Sequence, residues 1–379
     1  MALNIERILY FFMGFICFSL SFTSLREMGL GRSFEILFFC IILTLLAFTI
    51  HFQRFRYNLS FIPLLYIVFV MGPLTLLNYS QDFPGTSIET LLALILSSVT
   101  GLATAQAQSK YMKDSALGIG AASFLILFTL FSSGLSLDGI VRFSALSDNP
   151  NQLALYALVG MVIITLYIEN IPLKTLFILV LVFSGSLALS DAYFLAIAAG
   201  IFAYIFAKSI FSLSFLIFGL PFLLISSILL LLWAELFFSF DVIELVLELW
   251  RQADQGGTRS SLYINGILAF IYSPLVGHGG GAFAGIHIPF ETFEAHNTVI
   301  DFATMGGIIM PIIFYSPFIA GLFLSLKKNP LVSASISAFL VFSLFHFIGR
   351  HPIVWVAWGA CFGIFLIDHL KDKITLINN

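Results

Sequence analysis

The residues of this chain best suited to chemistry are a few arginines and histidines set at the edges of long apolar segments. Arg259 begins a helical run with Leu262, Ile264, Ile267 and Leu268, which Pro274 ends. Gly277, Gly279, Gly280 and Gly281 follow, a turn whose backbone N–H groups can converge into an anion-holding nest. His296 and Asn297 stand where the chain enters its next apolar segment. A histidine there either takes a proton as a general base, its pKa being close to working pH, or caps a helix. Asp301 lies inside that segment, where an ionisable group is costly and is usually functional or paired. Its i+5 spacing does not place it on one helix face with His296. Arg142 precedes Asn149-Pro150-Asn151, in which Asn149 is placed to cap a helix and Pro150 to occupy its first position. Asn151 and Arg142 are left unexplained by that capping. Arg350 and His351 form a short Gly-Arg-His-Pro turn whose side chains aim inward, with His346 one turn earlier; His278 and His287 are loop histidines with no stronger claim. The planar guanidinium makes two parallel hydrogen bonds to phosphate, so these arginines suit a phosphate-bearing ligand.

Other chemistries find no motif. There is no Walker loop, no dinucleotide fingerprint and no HExxH. Energy from ATP is therefore not indicated, and a reaction here would use an already activated substrate. Cys17, Cys40 and Cys361 lie far apart in apolar segments, with neither metal spacing nor a disulfide pattern.

The elements that position these residues must be membrane helices. Of 379 residues, 60% are hydrophobic and 10% charged, and the mean hydropathy is +1.04. A soluble domain carries about a quarter charged residues, so lipid is the main solvent here. The 44 Phe suit a hydrocarbon-facing surface, and a net charge of −3 argues against nucleic acid as a partner. A span needs roughly 20 apolar residues. Twelve such spans are expected, near 7–25, 34–50, 60–78, 88–108, 116–134, 151–168, 173–189, 191–208, 211–233, 297–325, 332–348 and 352–368. No small-residue cleavage site follows the first, which reads as a retained helix.

Orientation follows from the positive charges. Every lysine falls in an even-numbered connection or the C-terminal tail, joined there by Arg7, Arg54 and Arg56. That side is cytoplasmic and holds both termini. The opposite connections carry Arg26, Arg32, Arg142, Arg251, Arg259 and Arg350, and no lysine. Headgroup anchoring and chance explain this sorting as well as a phosphate ligand does. The segment 234–296 is the longest outside connection. In it Asp241, Glu244, Glu248 and Arg251 line one helical face opposite Ile243, Val246, Leu247 and Trp250, as for an amphipathic helix on the outer interface or an extension of span nine. No internal repeat and no separate soluble domain is visible. Residues 1–379 read as one all-α polytopic membrane domain.

Three stretches taken together carry a resemblance. They are Arg142 with Asn149-Pro150-Asn151-Gln152-Leu153-Ala154; Arg259 leading to Ser273-Pro274-Leu275-Val276-Gly277-His278-Gly279-Gly280-Gly281-Ala282-Phe283; and His296-Asn297 with Gly306-Gly307. In this order and spacing, over about 141–310, the chain resembles the O-antigen ligase and O-antigen polymerase superfamily. The resemblance implies a twelve-span fold of the membrane glycosyltransferase (GT-C-like) class. It implies a donor and an acceptor linked to undecaprenyl diphosphate, metal-independent and cofactor-free glycosyl transfer, and a site on the periplasmic face of the bacterial inner membrane. Carried over residue by residue, it gives diphosphate binding to Arg259, with Arg142 as a second grip, and base catalysis to His296. One position departs from the pattern. Where the family often has Ser-Arg, this chain has Ser190-Asp191. Arg350 or Arg251 then substitutes for the missing arginine, and Asp191 is a candidate for a sugar hydroxyl. Asn151, Asn297 and Asp301 complete the candidates, as sugar-binding or supporting residues.

The expected function is a polymerase joining lipid-linked oligosaccharide repeat units, with a chain-length regulator as a candidate partner. Its rivals are an O-antigen ligase that passes polymer to the lipid A core, a cell-wall polymerase of the shape and division type, and a non-enzymatic flippase or transporter. A transporter should carry mid-membrane charges and structural repeats; here the charges collect at one face.

Overall fold

The computed structural model describes residues 2–19, 33–51, 58–132, 149–209, 258–285 and 293–367. The described residues are helical, with no strand beyond a lone antiparallel bridge between Thr86 and Gly281. In chain order the helices are α1 (Ala2–Ser19), α2 (Ser33–His51), α3 (Leu59–Ser80), α4 (Ile88–Ala105), α5 (Ser109–Ser132), α6 (Pro150–Tyr167), α7 (Ile171–Leu187) and α8 (Asp191–Ser209). After them come α9 (Thr258–Tyr272), α10 (Thr298–Gly306), α11 (Ile309–Lys328), α12 (Pro330–Ser343) and α13 (Pro352–Cys361), the last running on into a π-helical turn.

Six helices among the described residues are long and apolar enough to cross a bilayer: 59–80, 88–105, 109–128, 150–167, 191–208 and 309–326. Shorter apolar helices cover 36–50, 171–187, 330–343 and 352–365. The expected span 211–233, the expected amphipathic helix with Arg251, and Arg142 lie outside the described residues.

Two expected spans are differently built. The segment 297–325 is not one helix. It breaks after Gly306, where Gly307 takes φ 58°. A Cβ there would run into the Leu275 backbone, and the Ile308 N–H donates to the Pro274 carbonyl at 2.8 Å. The distant Ser273–Gly277 loop thus occupies the space a continuous helix would need. The segment 332–348 ends early, at Ser343, and residues 344–351 form a tight turn.

That turn is fixed from both sides. The Thr298 hydroxyl donates to the His346 carbonyl at 2.6 Å and accepts from the Ile348 N–H at 3.1 Å. The Trp355 indole donates to the Gly349 carbonyl at 2.7 Å, and the Ser97 hydroxyl to the Arg350 carbonyl at 2.9 Å. Packing of α13 on α4 sets this register. Gly101 lies against Trp355 and Trp358, and Gly359 against Thr104. Small residues let the two backbones close up, which is how helices gain dispersion energy when lipid removes the hydrophobic drive between them.

The core runs through α6, α12 and α13, whose buried residues include Leu155, Leu158, Ile336, Phe339, Trp355 and Trp358. Helix α9 buries Leu262, Gly266 and Ala269 and exposes Ile264, Ile267, Leu268 and Ile271, an outer face suited to lipid rather than water.

Candidate active site

A cavity of about 160 Å³ is lined by residues of several helices and the segments beside them. Asn149, Asn151, Gln152 and Leu155 come from the start of α6, and Arg259 from α9. Glu294 and His296 come from the approach to α10; Phe342, His346, Phe347, Ile348, Arg350 and His351 come from the end of α12 and the turn into α13.

The start of α6 folds as its sequence dictates. Asn149 is extended and accepts from the Asn151 N–H at 2.9 Å, with Pro150 at the first helical position. The cap leaves Asn151 and Gln152 facing the cavity.

His296 is held by an unusual backbone. It has φ 55°, uncommon for a residue with a side chain. Asp301 over-determines this conformation. It is 1% exposed, and one carboxylate oxygen accepts from the Ala295 N–H at 2.8 Å, the other from the Asn297 N–H at 3.2 Å. Asp301 therefore acts on the backbone either side of His296. Asn297 caps α10, its side chain accepting from Val299 and Ile300. The His-Asn pair divides the work: Asn297 and Asp301 support, and His296 is displayed. Burial and the nearby Arg259 and Arg350 cations lower the His296 pKa, so the imidazole is neutral and able to accept a proton near pH 7.

The two arginines differ. Arg350 donates from Nη1 to Glu294 Oε1 at 2.7 Å. Arg259 has a buried Nε with no hydrogen-bond partner among the described residues. A buried donor left unsatisfied costs about 1–3 kcal/mol. Among the described residues no hydrogen bond offsets that cost.

Glu294 has its pKa raised by burial, against the opposing pull of Arg350. His351 is pushed down to about 3, by burial and then by Arg350 and His346. Its ring stands edge-on to Tyr156 at 5.9 Å, which makes it a neutral wall of the cavity.

Other candidates fall elsewhere. Asp191 is an exposed residue at the head of α8 and does not line the cavity. The glycine turn is not an anion nest. The Gly277 N–H donates to Ser273, His278 to Thr304, Gly279 to Met305, and Gly280 to the Thr75 hydroxyl. These amides satisfy the last carbonyls of α10 and bind the turn to α3. His278 is packed between Phe83 and Phe283, with Nε2 2.8 Å from the Ala269 carbonyl. Among the described residues no group of three His, Cys, Asp or Glu side chains converges as metal ligands would.

The structure brings the candidates Arg259, His296, Arg350 and Asn151 to one cavity, and adds Glu294, which the sequence did not single out, and Gln152, which it showed only as part of a motif. The only available signal for Glu294 was its position two residues before His296. The chain matches no protein-family model, and comparison with curated proteins finds no match.

Proposed function

We propose that the protein is a membrane glycosyltransferase that polymerises oligosaccharide units carried on undecaprenyl diphosphate. The observation that carries this reading is Arg259, a cation with a buried, unpartnered donor beside a neutral histidine. The residues supply a grip for a diphosphate leaving group and an acceptor for a hydroxyl proton.

In this reading the acceptor sugar hydroxyl attacks the anomeric carbon of the donor. Its proton passes to the His296 imidazole. The bond from the anomeric carbon to the diphosphate oxygen breaks, and the diphosphate leaves with the electron pair. Arg259, with Arg350 across the cavity, stabilises the charge that develops on it, the general role of preorganised cations. Asn151 and Gln152 face the sugars. The wider setting is part of the same proposal: twelve spans in the bacterial inner membrane, both termini in the cytoplasm and the cavity on the periplasmic side. Arg142 is a further candidate grip on the diphosphate, and a chain-length regulator a candidate partner.

The test uses purified full-length protein in lipid nanodiscs with a synthetic undecaprenyl-diphosphate oligosaccharide. The wild type should give a ladder of longer products and release undecaprenyl diphosphate. Arg259→Ala and Arg259→Lys should both give none while remaining folded, since lysine supplies charge without the fork. A normal ladder from Arg259→Ala would refute the phosphate-grip reading.

A further inference from the structure

Two ion pairs in the molecule have opposite designs. Arg7 meets Asp114 with both Nε and Nη2, each 2.9 Å from a separate carboxylate oxygen. That two-point contact joins α1 to α5 and uses the whole fork. Arg350 meets Glu294 through Nη1 alone. In both pairs the carboxylate is the sheltered member, 15% exposed against 44% for Arg350 here and 9% against 57% for Arg7 there. The Arg350 backbone is pinned by Ser97, so only its side chain has room to move.

Charge within the cavity makes the single-point contact informative. The charged side chains that line the cavity are Arg259 and Arg350, with Glu294 as the carboxylate among them. A diphosphate diester bears a negative charge on each phosphate. Balancing both requires the Arg350 charge as well, and Glu294 competes for it. We propose that Glu294 is a positioning residue that keeps Arg350 over the cavity and yields it to the incoming diphosphate. The pair is a resting contact that the donor exchanges for its own. The inference rests on the reading of the cavity as a diphosphate site.

The experiment is calorimetric titration of inorganic pyrophosphate into purified full-length protein in nanodiscs. Glu294→Gln keeps the side-chain shape and a hydrogen-bond acceptor but removes the competing charge. It should bind pyrophosphate about tenfold more tightly than the wild type, the order expected for deleting a like charge several ångströms away. Glu294→Asp, which keeps the charge, should bind no more tightly than the wild type. The gain should vanish when Glu294→Gln is combined with Arg350→Gln, because the coupling runs through that guanidinium. Equal or weaker binding by Glu294→Gln, or a gain that survives without Arg350, overturns the exchange while leaving the diphosphate reading standing. Pyrophosphate binding unchanged by Arg259→Ala, or absent in every variant, overturns both.

Discussion

The turn at His296 and the turn at Gly277–Gly281 look equally promising as motifs, yet the fold uses them in opposite ways. In the glycine turn the backbone N–H groups of residues 277–280 are all bound to protein acceptors, and its histidine is packed between two phenylalanines. At His296 the flanking N–H groups are bound to Asp301, and the side chain lines the cavity. Both turns contain left-handed residues. In the first the strain is relieved by glycine and serves close packing. In the second it falls on a residue with a side chain, and a buried carboxylate sustains it. Where the hydrogen bonds go, and not the richness of the motif, separates a turn whose amides are used in packing from one that displays a side chain.

The comparison is broken most severely if the histidines exchange roles. His296→Ala should lower transfer about a hundredfold or more, the usual contribution of a general base, with little change in melting temperature. His278→Ala should do the reverse, lowering thermal stability while the folded fraction still transfers. Turnover measured beside thermal unfolding of the same preparations separates the two.

Asp301→Ala should be costly on both counts. It leaves the Ala295 and Asn297 N–H groups without their acceptor, at about 1–3 kcal/mol for each buried donor, and it releases His296 from its conformation. Asp301→Asn, which retains one acceptor oxygen, should fall between wild type and alanine in both thermal midpoint and rate.

Gly279→Ala tests the other turn. Gly279 has φ 91°, and a Cβ would press on the Thr75 backbone. A loss of about 1–3 kcal/mol is expected for such strain, with specific activity per folded molecule unchanged. Lost transfer at unchanged stability would move this turn into the working site and end the contrast.

The smallest expected effect is on pH. Because His296 has its pKa lowered below the ordinary 6.5, it stays an unprotonated base at neutral pH and is lost as pH falls through the lowered value. The acid limb of kcat/KM, which reports the free enzyme, should therefore lie below pH 6.5. Arg350→Gln removes one of the cations responsible and should move that limb to higher pH. A limb that does not move would show that another group titrates.

Much of this was readable in advance for one physical reason. In a chain with 10% charged residues, each arginine or histidine at the edge of an apolar run must be accounted for, which singled out Arg259, His296 and Arg350. The Asn149-Pro150 cap was equally legible because it is a local rule. What could not be read depends on distant partners. Gly306-Gly307 sits in an apolar run that reads as one span, and only its meeting with Pro274 and Leu275 shows the break. The amides of the glycine turn are occupied by Thr304, Met305 and Thr75, which no spacing rule connects to it. Glu294 lies between Phe293 and Ala295 and gains meaning only from Arg350.

The most direct measurement is an experimental structure of the full-length protein with undecaprenyl diphosphate bound. The account predicts the diphosphate in the cavity, with a phosphate oxygen about 3 Å from Arg259 Nε and the Glu294–Arg350 contact opened. A diphosphate seated instead on the Gly277–Gly281 turn, with Arg259 still unpartnered, would contradict it.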